Sequence, residues 1–180
     1  EGFPPERAMY DAVFAVTGIH REVNGRFGIG APTLSSWSPA WRAMTRLFDR
    51  AKNGRLDLGR ALGELSAPPI GLKAGVGPTL LVAGIVAHRS ELALYEHGTY
   101  RPRLTPDIAE RLLRNPAHFE IKHFAATAGP RLTVVEVLAD RLGVHSWRGA
   151  PPTVLSIVAH LVGQINGLTE YGKQTRNLSS

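Results

Sequence analysis

Arg42, Arg46 and Arg50 stand four residues apart, so on an α-helix they share one face, with Lys52 just beyond. Three guanidinium groups in such a ridge suit successive phosphates or an acidic partner. Trp41, Met44 and Phe48 fall on the opposite face, and Asp49 interrupts the stripe only in part. A second basic candidate is Arg101 and Arg103, which flank Pro102 after a His97-Gly98 turn. On a hairpin such residues would grip a backbone, which positions a nucleic acid without reading its sequence. A third pattern is apolar. Val154, Val158, Leu161, Ile165 and Leu168 repeat in a 4-3 spacing that wants a partner. The competing reading of the two basic groups is a solvated face and a solvated hairpin.

Patterns that would support catalysis are missing. Gly71-Leu72-Lys73-Ala74-Gly75-Val76-Gly77 is glycine-rich and carries a lysine. It lacks the Gly-Lys-Ser/Thr ending that cradles phosphates and holds magnesium, and it follows two prolines rather than a buried strand. It reads as a turn that starts a helix. The histidines are scattered, and the odd spacing of His118 and His123 puts them on opposite faces of the strand they flank. No Gly-x-Ser-x-Gly elbow and no carboxylate cluster specify nucleophilic or acid–base work. The expectation is a non-enzyme with no cofactor and no metal.

The elements that must hold these residues are mostly helical. Pro4-Pro5 suits a helix start, with Met9, Ala12, Val13 and Val16 at helical spacing up to Gly18. Residues 25–38, rich in Gly, Pro and Ser, read as a loop. Ser38-Pro39 caps the next helix, which Gly54 follows. Asp57 caps a short helix to Leu65, stopped by Ala67-Pro68-Pro69. Pro78–Arg89 is apolar nearly all round and must be buried, so it cannot be an exposed reading helix. Strand Leu92–Tyr95, the His97-Gly98 turn and strand Tyr100–Arg103 follow. A helix from Thr105-Pro106 to Arg114 turns Leu104, Ile108, Leu112 and Leu113 inward, with Asp107–Arg111 and Glu110–Arg114 as i,i+4 pairs. Strand Phe119–Phe124 and helices Arg131–Leu142 and Pro152–Tyr171 complete the chain. That order predicts a mainly α fold with a small β component, a winged-helix-like module flanked by additional helices. The expected divisions are a helical region at 1–55, the module at 56–126 and a helical pair at 127–180.

Composition is that of an ordered, globular chain, with 43% hydrophobic and 20% charged residues. A net charge of +6 and a pI near 10.2 permit nucleic-acid or acidic-protein partners. Without cysteine, neither a disulfide framework nor a Cys-based zinc site can form. Residues 149–169 carry no Asp, Glu, Lys or Arg. His160, Gln164, Asn166 and two glycines make that stretch a buried helix of a non-membrane protein rather than a membrane span. Nothing resembles a secretory signal, and a cytoplasmic location is expected. The opening Glu1 suggests an excised domain.

A resemblance adds to this reading. Pro68-Pro69-Ile70-Gly71-Leu72-Lys73, then Gly75, Pro78 and Leu80-Leu81, resemble a segment of large bacterial P-loop ATPases. So do His88-Arg89, Glu91-Leu92-Ala93-Leu94-Tyr95-Glu96, Gly98-Thr99-Tyr100, Pro102 and Leu104-Thr105. The similarity continues through Glu110-Arg111-Leu112 and Asn115-Pro116 to Phe119, and resumes at Glu170-Tyr171, Thr175-Arg176 and Leu178-Ser179. The pattern is similar to the ATPases of phage-exclusion (BREX-type) and related antiviral defence loci. The resemblance implies an accessory module whose parent keeps its nucleotide site elsewhere. Its partners would be other ATPase domains or defence proteins, and its role intramolecular or protein–protein coupling. The alternative is a nucleic-acid-binding module that meets DNA or RNA phosphates through Arg42, Arg46, Arg50, Arg101 and Arg103.

Overall fold

The computed structural model describes residues 5–124, 130–144 and 151–169. The chain divides into two compact units, Glu1–Phe124 and Ala125–Ser180.

The first unit opens with α1 (Pro5–Tyr10), a π-helical turn (Asp11–Ala15) and a two-stranded hairpin, β1 (His20–Val23) and β2 (Arg26–Ile29). The hairpin lies partly inside the stretch expected to be a loop. Val23 pairs with Arg26, leaving Asn24-Gly25 as the turn, with φ of 54° and 75°. Two consecutive positive φ angles define the tight turn whose twist matches paired strands, and Asn-Gly is its preferred pair. Among the described apolar residues preceding Gly18, only Val13 is buried, while Val16 is 70% exposed.

Next come α2 (Ser38–Arg50), β3 (Leu56–Asp57), α3 (Leu58–Ser66) and α4 (Gly77–Ala87). Ser38 does not cap α2. A 3-10 turn at Ser35–Trp37 runs straight into the helix, and no side chain bonds its first amides. Asp57 does cap α3, accepting the Arg60 amide at 2.7 Å. On α4, Leu80, Leu81, Ala83, Gly84 and Ile85 are all buried, as an all-apolar helix requires. Gly84 makes the close approach to α2 possible. A Cβ there would stand 2.5 Å from Met44 Sδ and 2.9 Å from the Phe48 ring.

The unit ends with β4 (Leu92–Glu96), β5 (Thr99–Arg101), α5 (Pro106–Arg114), a 3-10 turn (Pro116–His118) and β6 (Phe119–His123). These strands form an antiparallel sheet in the order β3-β6-β4-β5. Leu94 pairs with Ile121 and Glu96 with Phe119, so the alternation sends Leu92, Leu94, Glu96, Phe119 and Ile121 to one face. That face meets α2, α3, α4 and α5 in one core around Met44, Phe48, Leu58, Leu65, Leu80, Leu81, Leu112 and Phe119. The core crosses residue 55, so the helix bearing the arginine ridge belongs with the sheet and not to a separate region. Strand β5 stops at Arg101, which leaves Arg103 outside it. Leu113 is 41% exposed, because Ile108 and Leu112 already fill the inward side of α5.

The second unit pairs α6 (Pro130–Arg141) with α7 (Val154–Gly167). A reciprocal box starts α7: the Ser156 amide donates to Thr153 Oγ1 at 3.2 Å, and the Thr153 amide to Ser156 Oγ at 2.9 Å. The core is small, with Val135, Ala139 and Ile157 buried and Leu142 and Val144 half-buried against them. The expectation of a buried last helix is therefore corrected. Only Leu155 and Ile157 of α7 are buried, and Ile157 alone joins Val135 and Ala139 of α6 in the core. No helix among the described residues is long and apolar enough to cross a membrane. The resemblance at Glu170-Tyr171 and beyond lies outside the described residues.

Candidate interaction surfaces

Helix α2 turns Trp41, Ala43, Met44, Leu47 and Phe48 inward, which leaves Arg42, Arg46 and Arg50 on its outer face. Arg42 and Arg46 are exposed and make no ion pair among the described residues. Arg50 differs. Its guanidinium grips Glu64 of α3 with both terminal nitrogens, at 2.5 and 3.2 Å. That hydrogen bonding holds the Glu64 carboxyl below the ordinary carboxylate range. Arg60, one turn earlier on α3 and 77% exposed, reaches the same carboxylate at 3.8 Å. Lys52 pairs with Asp49 at 2.7 Å. The three arginines thus share the outer face of α2, and the third is already partnered.

The hairpin candidate separates. Arg101 lies 2.9 Å from Glu96 Oε2, an ion pair without the alignment of a hydrogen bond. Arg111 of α5 clasps the same carboxylate through Nε at 2.6 Å and a terminal nitrogen at 3.1 Å. Glu96 is 4% exposed, on the inner face of the sheet among apolar side chains. The Arg111 hydrogen bonds outweigh the effect of burial and hold its carboxyl below the ordinary range. A buried carboxylate needs such partners. Arg101 is thus a structural counter-ion that ties β5 to β4, and not a free hand for phosphates. Arg103 is exposed and makes no ion pair among the described residues. The two pairs expected on α5 are present, Asp107–Arg111 at 3.0 Å and Glu110–Arg114 at 2.7 Å.

The five apolar positions at 4-3 spacing, four on α7 and Leu168 at its end, are all exposed. Val154 is 41%, Val158 37%, Leu161 38%, Ile165 56% and Leu168 49% exposed. Val134, Val137 and Leu138 of α6 stand exposed as well. No charged residue lies on α7.

Glu96 and Arg60 were not singled out by sequence. The strand alternation that places Leu92 and Leu94 inward also places Glu96 inward, and that was the available signal. His123, expected from its spacing only to flank the strand, is instead the last residue of β6 and nearly buried. Its ring is 9% exposed, with Nδ1 3.1 Å from the Phe48 carbonyl and 3.7 Å from Asp49, and Nε2 3.4 Å from Glu91. It thus joins the end of β6 to the end of α2 and to the turn before β4. His118 lies in the 3-10 turn before β6, its ring 4.4 Å from that of His97. Among the described residues, no group of three or more His, Asp or Glu side chains could hold a metal ion. No protein-family model, curated protein or solved structure matches this chain.

Proposed function

We propose that this chain is a non-catalytic accessory module of a large bacterial defence-type ATPase, working in the cytoplasm. It couples the nucleotide-binding part to other domains or partner proteins. The observation that carries this reading is the apolar face of the second unit. Val134, Val137 and Leu138 of α6 and the stripe Val154, Val158, Leu161, Ile165 and Leu168 are exposed, and apolar side chains left open in this way mark a surface that another protein part covers.

The first unit supports a winged-helix-like architecture. Strands β3, β6 and β4 are consecutive and antiparallel, α2 precedes β3, and α3 and α4 fall between β3 and β4. Strand β5 and α5 are then an insertion between the last two strands of such a core. The helix in the position that would enter a DNA groove is α4, which is buried. That favours coupling over base reading.

A photo-crosslinking amino acid placed at Leu161 or Ile165 tests this in bacteria that express the parent gene. Crosslinks from both positions should reach the nucleotide-binding part of an ATPase, in the same chain or in a partner. Glu110, exposed on α5, serves as the control. An α7 that yields no more crosslinked product than the control would overturn the coupling role.

A further inference from the structure

Arg42, Arg46, Arg50 and Arg60 form one continuous row across two helices. Arg42, Arg46 and Arg50 climb the outer face of α2. Glu64 accepts from Arg50 and lies 3.8 Å from Arg60, and so brings the α3 guanidinium alongside the α2 stripe. Glu64 offsets one of the four guanidinium charges and Asp49, on the same stripe, is offset by Lys52 at 2.7 Å, which leaves a net charge of about +3. From Arg42 to Arg50 the helix rises about 12 Å at 1.5 Å per residue. That spans between three and four base-pair steps of about 3.4 Å on one strand of a duplex.

What surrounds the row narrows the partner. None of the exposed large apolar residues of the described chain is on α2 or α3. A protein partner would need an apolar or aromatic anchor at the centre of its contact. Single-stranded nucleic acid would need an exposed aromatic platform for its bases. Neither need is met here, where Trp41 and Phe48 are buried in the core. A duplex backbone needs only charge at phosphate spacing, and guanidinium groups match phosphate oxygens two at a time. We propose that the outer faces of α2 and α3 bind the phosphate backbone of double-helical nucleic acid without sequence preference, with Glu64 limiting the affinity. This surface is independent of the apolar face of α6 and α7, and either reading can fail alone.

The test is anisotropy titration of the full 180-residue chain with a fluorescent DNA duplex of arbitrary sequence. With three to four phosphates engaged, affinity should fall about 40- to 150-fold between about 50 and 200 mM salt. Arg42→Ala/Arg46→Ala should reduce the logarithmic salt slope by about two, with the melting temperature checked to confirm folding. Glu64→Gln releases Arg50 and Arg60 and should tighten binding and steepen the slope by about one, a gain that unfolding cannot mimic. Unchanged binding by Arg42→Ala/Arg46→Ala would overturn the assignment. So would tighter binding to single strands than to duplex, equal binding to vesicles rich in anionic lipid, or no binding at low salt.

Discussion

Replacing Glu96 with Gln should be the most damaging isosteric change at a charged residue of the β4-β5-α5 layer. The side chain is 5% exposed and faces two guanidinium groups, Arg111 at 2.6 Å and Arg101 at 2.9 Å. Removing one partner from a buried ion pair costs about 3–5 kcal/mol. Here the discount is substantial, because the side chains of Arg101 and Arg111 are 38% and 48% exposed and turn towards water once released. The remaining Gln can still accept one hydrogen bond from Arg111. The expected loss is about 2–3 kcal/mol, or about 10 °C in melting temperature for a unit of this size. The comparison is Glu110→Gln, which removes an exposed i,i+4 partner of Arg114 and should cost under about 0.5 kcal/mol. Urea titrations followed by circular dichroism measure both. If Glu96→Gln lost no more than Glu110→Gln, the buried carboxylate would not be tying β4 to β5 and α5, and its assignment as a structural anchor would be wrong.

Other outcomes follow from the same geometry. Glu96, Glu64 and Asp49 are all held below their ordinary range by cationic partners, first by Arg111, Arg50 and Lys52 respectively. A depressed carboxyl stabilises above its unfolded value, about 4 for these groups, and that contribution is lost as pH falls through the folded one. Melting temperature should therefore drop on the acid side, and less steeply in Glu96→Gln. Gly59→Ala should destabilise by about 1–3 kcal/mol, since its Cβ would meet Ala117 Cβ at 2.8 Å and the Ala117 backbone at 2.9 Å. Gly63→Ala, one turn further on α3 in open space, should instead stabilise by about 0.5–1 kcal/mol. Denaturant titration of the pair checks the opposite signs. Asn24→Val should weaken the first hairpin, because a β-branched residue disfavours its φ of 54°, and faster amide exchange at His20–Val23 would report it.

The elements were largely legible where a few neighbouring residues decide the outcome. An unbroken apolar run made α4 a buried helix, His97-Gly98 made the β4-β5 turn, and Pro106 and Pro116 bounded α5. The first hairpin was equally local in its Asn24-Gly25 signal, but the Gly, Pro and Ser of the following stretch outweighed it. The candidate sites were legible only in part. The ridge spacing of Arg42, Arg46 and Arg50 follows from helical periodicity, yet which of them is free does not.

By itself the sequence determined the helix-rich composition, most element boundaries, the outward placement of the arginines on α2 and the 4-3 apolar stripe of α7. Each of these depends on residues within a turn or two of one another. Only the tertiary structure decided that Glu64 engages Arg50, that Glu96 neutralises Arg101, and that the α7 stripe stays uncovered by α6. Charge compensation and exposure depend on which faces the packing brings within a few ångströms. Those meetings join residues far apart along the chain, such as His123 and Phe48, and no local periodicity encodes them.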